Sequence, residues 1–161
     1  MSVDVIIEDP RWEEAGLAAL AERATVATLR HMNLSSDAWQ VTVLGCNDRR
    51  IADLNAGFRG KPTPTNVLSW PSEERGAQVA GEEPRRPAGD PELGDIALAF
   101  ETCQQEAAAQ GKPYDHHILH LIVHGVLHLL GYDHVRQGDG DLMESHEIAI
   151  LAELGVDDPF M

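Results

Sequence analysis

Short β-branched runs and longer stretches of helical periodicity alternate along the chain, with the strand-like runs mostly in its first half. Runs rich in β-branched and apolar residues predict four strands, at residues 3–7, 39–44, 67–70 and 93–99. Apolar positions three and four residues apart predict five helices, at residues 10–32, 48–56, 101–110, 114–130 and 139–154. This order predicts an α+β fold: a single domain over residues 1–161, with one four-stranded mixed sheet packed with about five helices.

The stretch from residue 72 to residue 91 interrupts this pattern, because it is rich in charged residues, proline and glycine and has almost nothing to bury. Such a composition is typical of a segment without regular structure. We therefore predict a mobile insertion at about residues 72–91, between the third and fourth strands and inside the single domain.

The charge balance argues against one class of function. The chain carries 12 basic and 27 acidic residues, for a net charge of −15. Long-range repulsion from phosphates does not favour a general nucleic-acid binder, and no DNA partner is expected. Salt confines such repulsion to about 8 Å, so a small basic patch can still act locally. The candidates for such a patch are Arg49, Arg50, Arg59 and Lys61.

The N-terminal residues contain neither a basic segment nor a long apolar run, which argues against a signal peptide or a membrane anchor. The apolar stretch at residues 118–130 contains three histidines and is shorter than the ~20 residues that a membrane span needs. Cys46 and Cys103 are too few for a disulfide scaffold and fit a reducing compartment. We predict a cytoplasmic protein with no membrane partner.

The most informative segment contains His124, His128 and His134 in a regular spacing around Gly131. Four helical residues turn through about 400°, so the first two histidines lie on one face, about 6 Å apart along the axis. A left-handed glycine ends a helix and allows the third histidine to return to the same place. Because unpartnered imidazoles are costly in so apolar a helix, we predict that all three bind one metal ion. Three neutral protein ligands leave a position open, which is typical of catalytic zinc.

The histidines and the glycine match the metzincin protease pattern H-E-x-x-H-x-x-G-x-x-H, except that Gly125 replaces the glutamate. In those proteases the glutamate is the general base that acts on metal-bound water. Peptide hydrolysis by that route is therefore disfavoured. We expect Gly125 to leave open space beside the metal, which would suit a bulky substrate.

The extended motif from His124 to His134 resembles the YbeY family, the bacterial endoribonucleases also called rRNA maturation factors. Residues 55–61 (NAGFRGK), 64–69 (PTNVLS), 93–96 (LGDI) and 143–155 match as well, so the resemblance extends from about residue 39 to the end. It implies a zinc-bound, single-domain α+β fold with one Zn²⁺ ion. It also implies cleavage of single-stranded RNA, 3′-end maturation of small-subunit rRNA and ribosome quality control. The implied partners are an rRNA precursor and the small ribosomal subunit or its assembly proteins.

Arg59 matches the functional arginine of that family and is the predicted catalytic residue. A planar guanidinium can bind two oxygens of a phosphodiester whose transition state gathers negative charge. The nucleophile stays open among a metal hydroxide, water activated by a group near the metal, and the RNA 2′-OH. Thr65, Asn66 and Ser69 line the cleft or cap a strand.

Other roles and functions also stay open. His120 lies near the metal or packs in the core, and Asp133 orients a ligand histidine or stabilises a turn. One alternative function is a metal hydrolase of another substrate, such as a small phosphoester or a peptide. The other is a non-catalytic, zinc-containing ribosome-assembly factor, whose structural zinc would need a fourth protein ligand. The candidates for that ligand are Cys46, Cys103 and His120.

Overall fold

The computed structural model describes residues 3–60 and 63–160, with all of their side chains except those of Phe58 and Arg59. The described residues form a four-stranded sheet and six helices. In chain order they are β1 (Val3–Ile7), α1 (Arg11–Glu14), α2 (Leu17–His31), β2 (Gln40–Cys46), α3 (Asp48–Arg59), β3 (Val67–Pro71), β4 (Glu92–Ala99), α4 (Phe100–Gln110), α5 (Tyr114–Leu129) and α6 (Gln137–Glu153).

The sheet confirms the predicted mixed α+β architecture. Its strand order is β1-β2-β4-β3. The strand β2 pairs in parallel with β1 and with β4, whereas β3 pairs antiparallel with β4, bringing Ser69 opposite Ile96. Successive residues of β4 point to opposite faces, so Ile96 and Leu98 join the main core while Ala97 and Ala99 join a smaller one with α3. Both faces of the sheet are therefore covered.

The single helix predicted for residues 10–32 is wrong, because the structure divides it into α1 and α2. Gly16 separates them with a φ of 75°, a conformation that favours glycine. The change in direction lets Trp12 turn into the core, where it is fully buried and its Nε1 donates to the Cys46 carbonyl at 2.8 Å. This break explains why six helices are found where five were expected.

The helix α5 occupies the centre of the molecule. It packs against β3 and β4 and against α2, α4 and α6. Burial on nearly all sides agrees with its apolar sequence, and its fully buried side chains include Ile118, Ile122, Val123, Val126, Leu127 and Leu129. No helix among the residues described is long and apolar enough to cross a membrane.

The segment from residue 72 to residue 91 links β3 to β4 without regular structure and makes specific contacts with the body. Arg75 is 3% exposed and donates from Nη1 to the Leu129 carbonyl at 2.8 Å, at the end of α5. Arg86 donates to the carbonyls of Met32 and Asn33, beyond the end of α2. No feature of the sequence indicated that Arg75 is buried. The predicted mobility of the insertion stays a prediction.

Gly94 sets the spacing between β3, β4 and α5, and its replacement by alanine is expected to destabilise the fold. A Cβ there would lie 2.2 Å from the Trp70 carbonyl oxygen and 2.8 Å from Leu129, at a φ of +143°. Backbone strain and overpacking together predict a loss of about 3 kcal/mol or more in the free energy of unfolding. Urea denaturation measures it.

Gly89→Ala is the matched control, because Gly89 also has a positive φ (+84°), but no atom of the described residues lies within 4 Å of its added Cβ. The free energy of unfolding of Gly89→Ala should fall only by the smaller amount that backbone strain contributes. Equal losses in the two variants would contradict the packing role assigned to Gly94.

Candidate metal centre

The three predicted histidines converge on one point. One ring nitrogen from each lies within 4.8 Å of the corresponding atoms of the other two. His124 and His128 are one turn apart on α5, with 3.0 Å between their Nε2 atoms. The ring of His134 stands 5.7 Å from that of His124 and 5.3 Å from that of His128, between ring centroids. The helical spacing therefore brings together the predicted residues.

A tight turn after α5 returns His134 to the helix. Gly131 has a φ of +103°, and a Cβ there would lie 2.7 Å from the Arg75 backbone. The Tyr132 N–H donates to the Leu127 carbonyl at 3.0 Å, which closes the helix end. Asp133 accepts from the His134 backbone N–H at 2.7 Å. This contact agrees with the second of the two roles considered for Asp133, which is to stabilise the turn.

Hydrogen bonds at the Nδ1 atoms fix which nitrogens face the centre. His128 Nδ1 lies 2.9 Å from the Tyr132 carbonyl oxygen, which can only accept, so Nδ1 carries the proton. His124 Nδ1 donates in the same way to Glu147 Oε1. In the neutral form of each ring, the Nε2 atom therefore carries an unprotonated lone pair. Two such lone pairs 3.0 Å apart repel each other, and a cation between them would remove the repulsion.

The electrostatic environment keeps His128 neutral. Burial, reinforced by the neighbouring His124 and His134, lowers the pKa of His128 to about 4. Glu147 behaves oppositely: burial raises its pKa, but the His120 and His124 side chains beside the carboxylate outweigh burial and lower it to about 2. At neutral pH the site thus combines a neutral His128 with the ionised carboxylate of Glu147. Neutral imidazoles are the form that binds transition metals.

Glu147 is a site residue that sequence reasoning missed. It projects from α6 with 2% of its side chain exposed, and its Oε2 lies 3.6 Å from His120 Nε2. The sequence does contain an indication of this role, because Glu147 lies at helical spacing with the apolar residues Met143, Ile150 and Leu151. An acidic residue on a buried helix face indicates a polar partner inside the fold.

Gly125 does not leave space beside the histidines, so that expectation is wrong. The residue is buried on the side of α5 that faces β4. A Cβ at this position would lie 2.9 Å from Ile96 Cδ1 and 3.3 Å from both Cγ atoms of Ile96. Its function in the fold is to let the helix approach the sheet closely.

Two cavities open beside the histidines instead. One of about 440 Å³ lies on the His128 side and is also lined by Ser69 and Tyr132. The other, of about 280 Å³, lies beside His124 and His134 and is also lined by Asn66 and Phe160. Asn66 in addition accepts from the Val67 N–H at 2.7 Å, at the start of β3. Both of the roles considered for Asn66 thus have a structural counterpart.

The remaining predicted residues fall into two groups. Arg59 is the last residue of α3, but its side chain, like all of Lys61, lies outside the described part of the chain. The thiols of Cys46 and Cys103 are buried beside the carbonyls of Leu98 and Asn66. Within residues 3–60 and 63–160, the group that could hold a metal comprises the three histidines alone.

Fold and site together define a class: a small α+β domain with a three-histidine cluster on a central helix and the turn after it. Comparison with protein families gives a more specific assignment. The family model described as Endoribonuclease YbeY matches residues 4–155. The chain therefore belongs to the YbeY family.

Individual relatives agree with this assignment. A Cereibacter sphaeroides protein named Endoribonuclease YbeY is 59% identical over 164 residues, which cover 98% of each chain. A protein of the same name from Paracoccus denitrificans is 54% identical, over 99% of this chain and 90% of its own. The solution structure of TM1509 from Thermotoga maritima shares the fold, with a TM-score of 0.56, 20% identity and 99% coverage of each chain.

Glutamate at position 125 would restore the protease-like pattern in sequence but should disrupt the fold. The Gly125→Glu side chain would enter the apolar contact with Ile96. Overpacking and burial of a polar group predict a loss of about 3 kcal/mol or more in unfolding free energy, measured by urea denaturation. Gly57→Glu is the control, because Gly57 lies in α3 and an added Cβ would meet no described atom within 4 Å. Equal stability of the two variants would show that position 125 has room for a side chain.

Proposed function

We propose that this chain is a metal-dependent endoribonuclease that cleaves phosphodiester bonds of single-stranded RNA and uses one Zn²⁺ ion. The observation that carries the proposal is the pair of Nε2 lone pairs held 3.0 Å apart, with His134 beside them. The relatives' printed name, Endoribonuclease YbeY, supports RNA as the substrate. Three neutral nitrogen ligands with an open position are typical of catalytic zinc.

In the proposed mechanism the chain's own residues hold the ion and the substrate. His124, His128 and His134 would bind the zinc through their unprotonated ring nitrogens. Zinc bound there would supply a Lewis acid for a phosphate oxygen and acidify water. Arg59 would bind the non-bridging oxygens of the scissile phosphate, whose charge increases in the transition state. The nucleophile is either water or the RNA 2′-OH.

A zinc ion held by the three histidines alone would keep one coordination position open, which would distinguish it from a structural zinc. A structural site needs a fourth protein ligand. The thiols of Cys46 and Cys103 donate to the backbone carbonyls of Leu98 and Asn66. His120 Nε2 faces Glu147 Oε2 at 3.6 Å. In the part of the chain with described coordinates, the candidates for a fourth ligand are thus committed to other contacts. This arrangement favours the catalytic function over the non-catalytic assembly factor.

The cellular role that we propose follows from the family resemblance. It comprises 3′-end maturation of small-subunit rRNA and ribosome quality control in the cytoplasm, with an rRNA precursor, the small subunit or its assembly proteins as partners. The strongly acidic chain supports a restricted RNA substrate, since its net charge of −15 disfavours general nucleic-acid binding.

Removing one ligand should abolish stoichiometric metal binding. His124→Ala leaves two imidazoles, which is too few for a tight zinc site. Elemental analysis after dialysis should give about one zinc per chain for the unmodified protein and far below one for the variant. His116→Ala, near the start of the same helix, is the control and should keep its zinc. Full zinc in His124→Ala would refute the assigned ligand set.

Removing the proposed phosphate-binding group should separate metal binding from catalysis. Arg59→Ala should keep its zinc and lose roughly 10²- to 10³-fold in turnover, the usual cost of deleting a group that stabilises transition-state charge. The turnover is measured as the rate of cleavage of a defined single-stranded RNA. Arg23→Ala, an exposed arginine on α2, is the control. Unchanged turnover in Arg59→Ala would overturn this role, whereas a 2′,3′-cyclic phosphate product would identify the 2′-OH as the nucleophile.

A further inference from the structure

A buried carboxylate links the candidate metal centre to a second helix. Glu147 projects from α6 toward α5 with 2% of its side chain exposed. Its Oε1 accepts from His124 Nδ1, and its Oε2 lies 3.6 Å from His120 Nε2. The Glu147 carboxylate thus contacts two imidazoles that are one turn apart on α5, with one oxygen beside each ring.

This carboxylate is too costly to be explained as packing alone. Removing an ionised carboxylate from water is costly unless close partners compensate it. The partners that surround Glu147 are imidazoles, and the helix stripe on which it lies is otherwise apolar. An apolar residue of similar volume would fill the same space at lower cost. The contact with His124 therefore calls for a reason beyond stability.

The two histidines of α5 are oriented by groups of different strength. His128 donates to the neutral carbonyl oxygen of Tyr132 at 2.9 Å. His124 donates to a charged oxygen, which makes a stronger hydrogen bond and increases electron density on the opposite ring nitrogen. That nitrogen, Nε2, is the one that faces the cluster. Glu147 therefore acts on the metal-facing atom of His124 through the ring.

His120 restrains the carboxylate from the other side. Its side chain is 15% exposed, and Phe160 packs edge-on against its ring with 5.7 Å between centroids. Its Nδ1 is buried without a hydrogen-bond partner among the residues described, so the contact with Glu147 is the polar interaction available to orient this ring. His120 therefore contacts the second oxygen of Glu147, while His124 contacts the first.

We propose that Glu147 is a positioning residue for His124, held by His120, and that the chain His120–Glu147–His124 sets the affinity of the centre for its metal. This proposal rests on the proposed function, because it assumes that the three histidines bind a metal. It assigns a function to His120, for which the sequence left two interpretations open.

The test measures the dissociation constant for Zn²⁺ by competition with a chromophoric chelator. Glu147→Gln keeps the shape of the side chain and removes its charge, so affinity should fall roughly 10- to 100-fold, as for other residues that orient metal ligands. Glu147→Asp keeps the charge and should retain more affinity than Glu147→Gln. His120→Gln should lower affinity by a smaller factor.

Glu153→Gln is the matched control, since Glu153 is an exposed acid at the far end of α6 and does not line either cavity beside the histidines. Its affinity for Zn²⁺ should equal that of the unmodified protein, because loss of one acidic charge on the same helix does not by itself reorient His124. The absorption spectrum of the Co²⁺-substituted protein provides a second readout, which should change in Glu147→Gln and not in Glu153→Gln.

The outcomes separate this inference from the function on which it rests. No stoichiometric zinc in the unmodified protein would refute the proposed function. Zinc binding of equal affinity in the unmodified protein and Glu147→Gln would refute the positioning role alone. If Glu147→Gln does not fold, His120→Gln decides, and unchanged affinity in that variant would overturn the proposal.

Discussion

The close contact between α5 and β4 is the constraint on which the candidate centre depends. Gly125 brings the helix backbone against Ile96, and the apolar residues around it bury the helix on nearly every side. A helix fixed this firmly presents His124 and His128 at one invariant separation. Metal ligands need such rigidity, because a shift of a fraction of an ångström degrades the coordination geometry. Because glycine has no side chain, Gly125 lets α5 lie close to β4 and thereby helps to fix the positions of the histidines.

The sequence was sufficient for the parts of the molecule that depend on local periodicity. The convergence of His124, His128 and His134 follows from 3.6 residues per turn and a left-handed glycine, and both rules act within eleven residues of chain. The four strands and the central buried helix were predictable for the same reason. The interruption at Gly16 was missed because it depends on how Trp12 docks at the carboxyl end of β2, where it donates to the Cys46 carbonyl.

What the sequence could not supply were contacts between residues far apart in the chain. Glu147 on α6 accepts a hydrogen bond from His124 on α5, and Gly125 on α5 lies against Ile96 on β4. The pattern of glycine and histidines suggested empty space beside the metal, but the side chain from β4 fills it. Arg75 was equally unpredictable, because its partner carbonyl is fifty-four residues away at the end of α5.

The arginines of the insertion bear on how an acidic chain can attract RNA. Arg75, Arg85 and Arg86 each donate to backbone carbonyls, and Arg136 donates to carbonyls of the insertion and to Asp139. Arg75 and Arg86 therefore fasten the segment to the body, Arg136 fastens it to the chain just after His134, and Arg85 binds within the segment. A guanidinium already bound to carbonyls has fewer donors left for phosphate. The guanidinium groups of Arg75, Arg86 and Arg136 therefore serve first to hold the chain together, and fewer of their donors remain for a phosphate group.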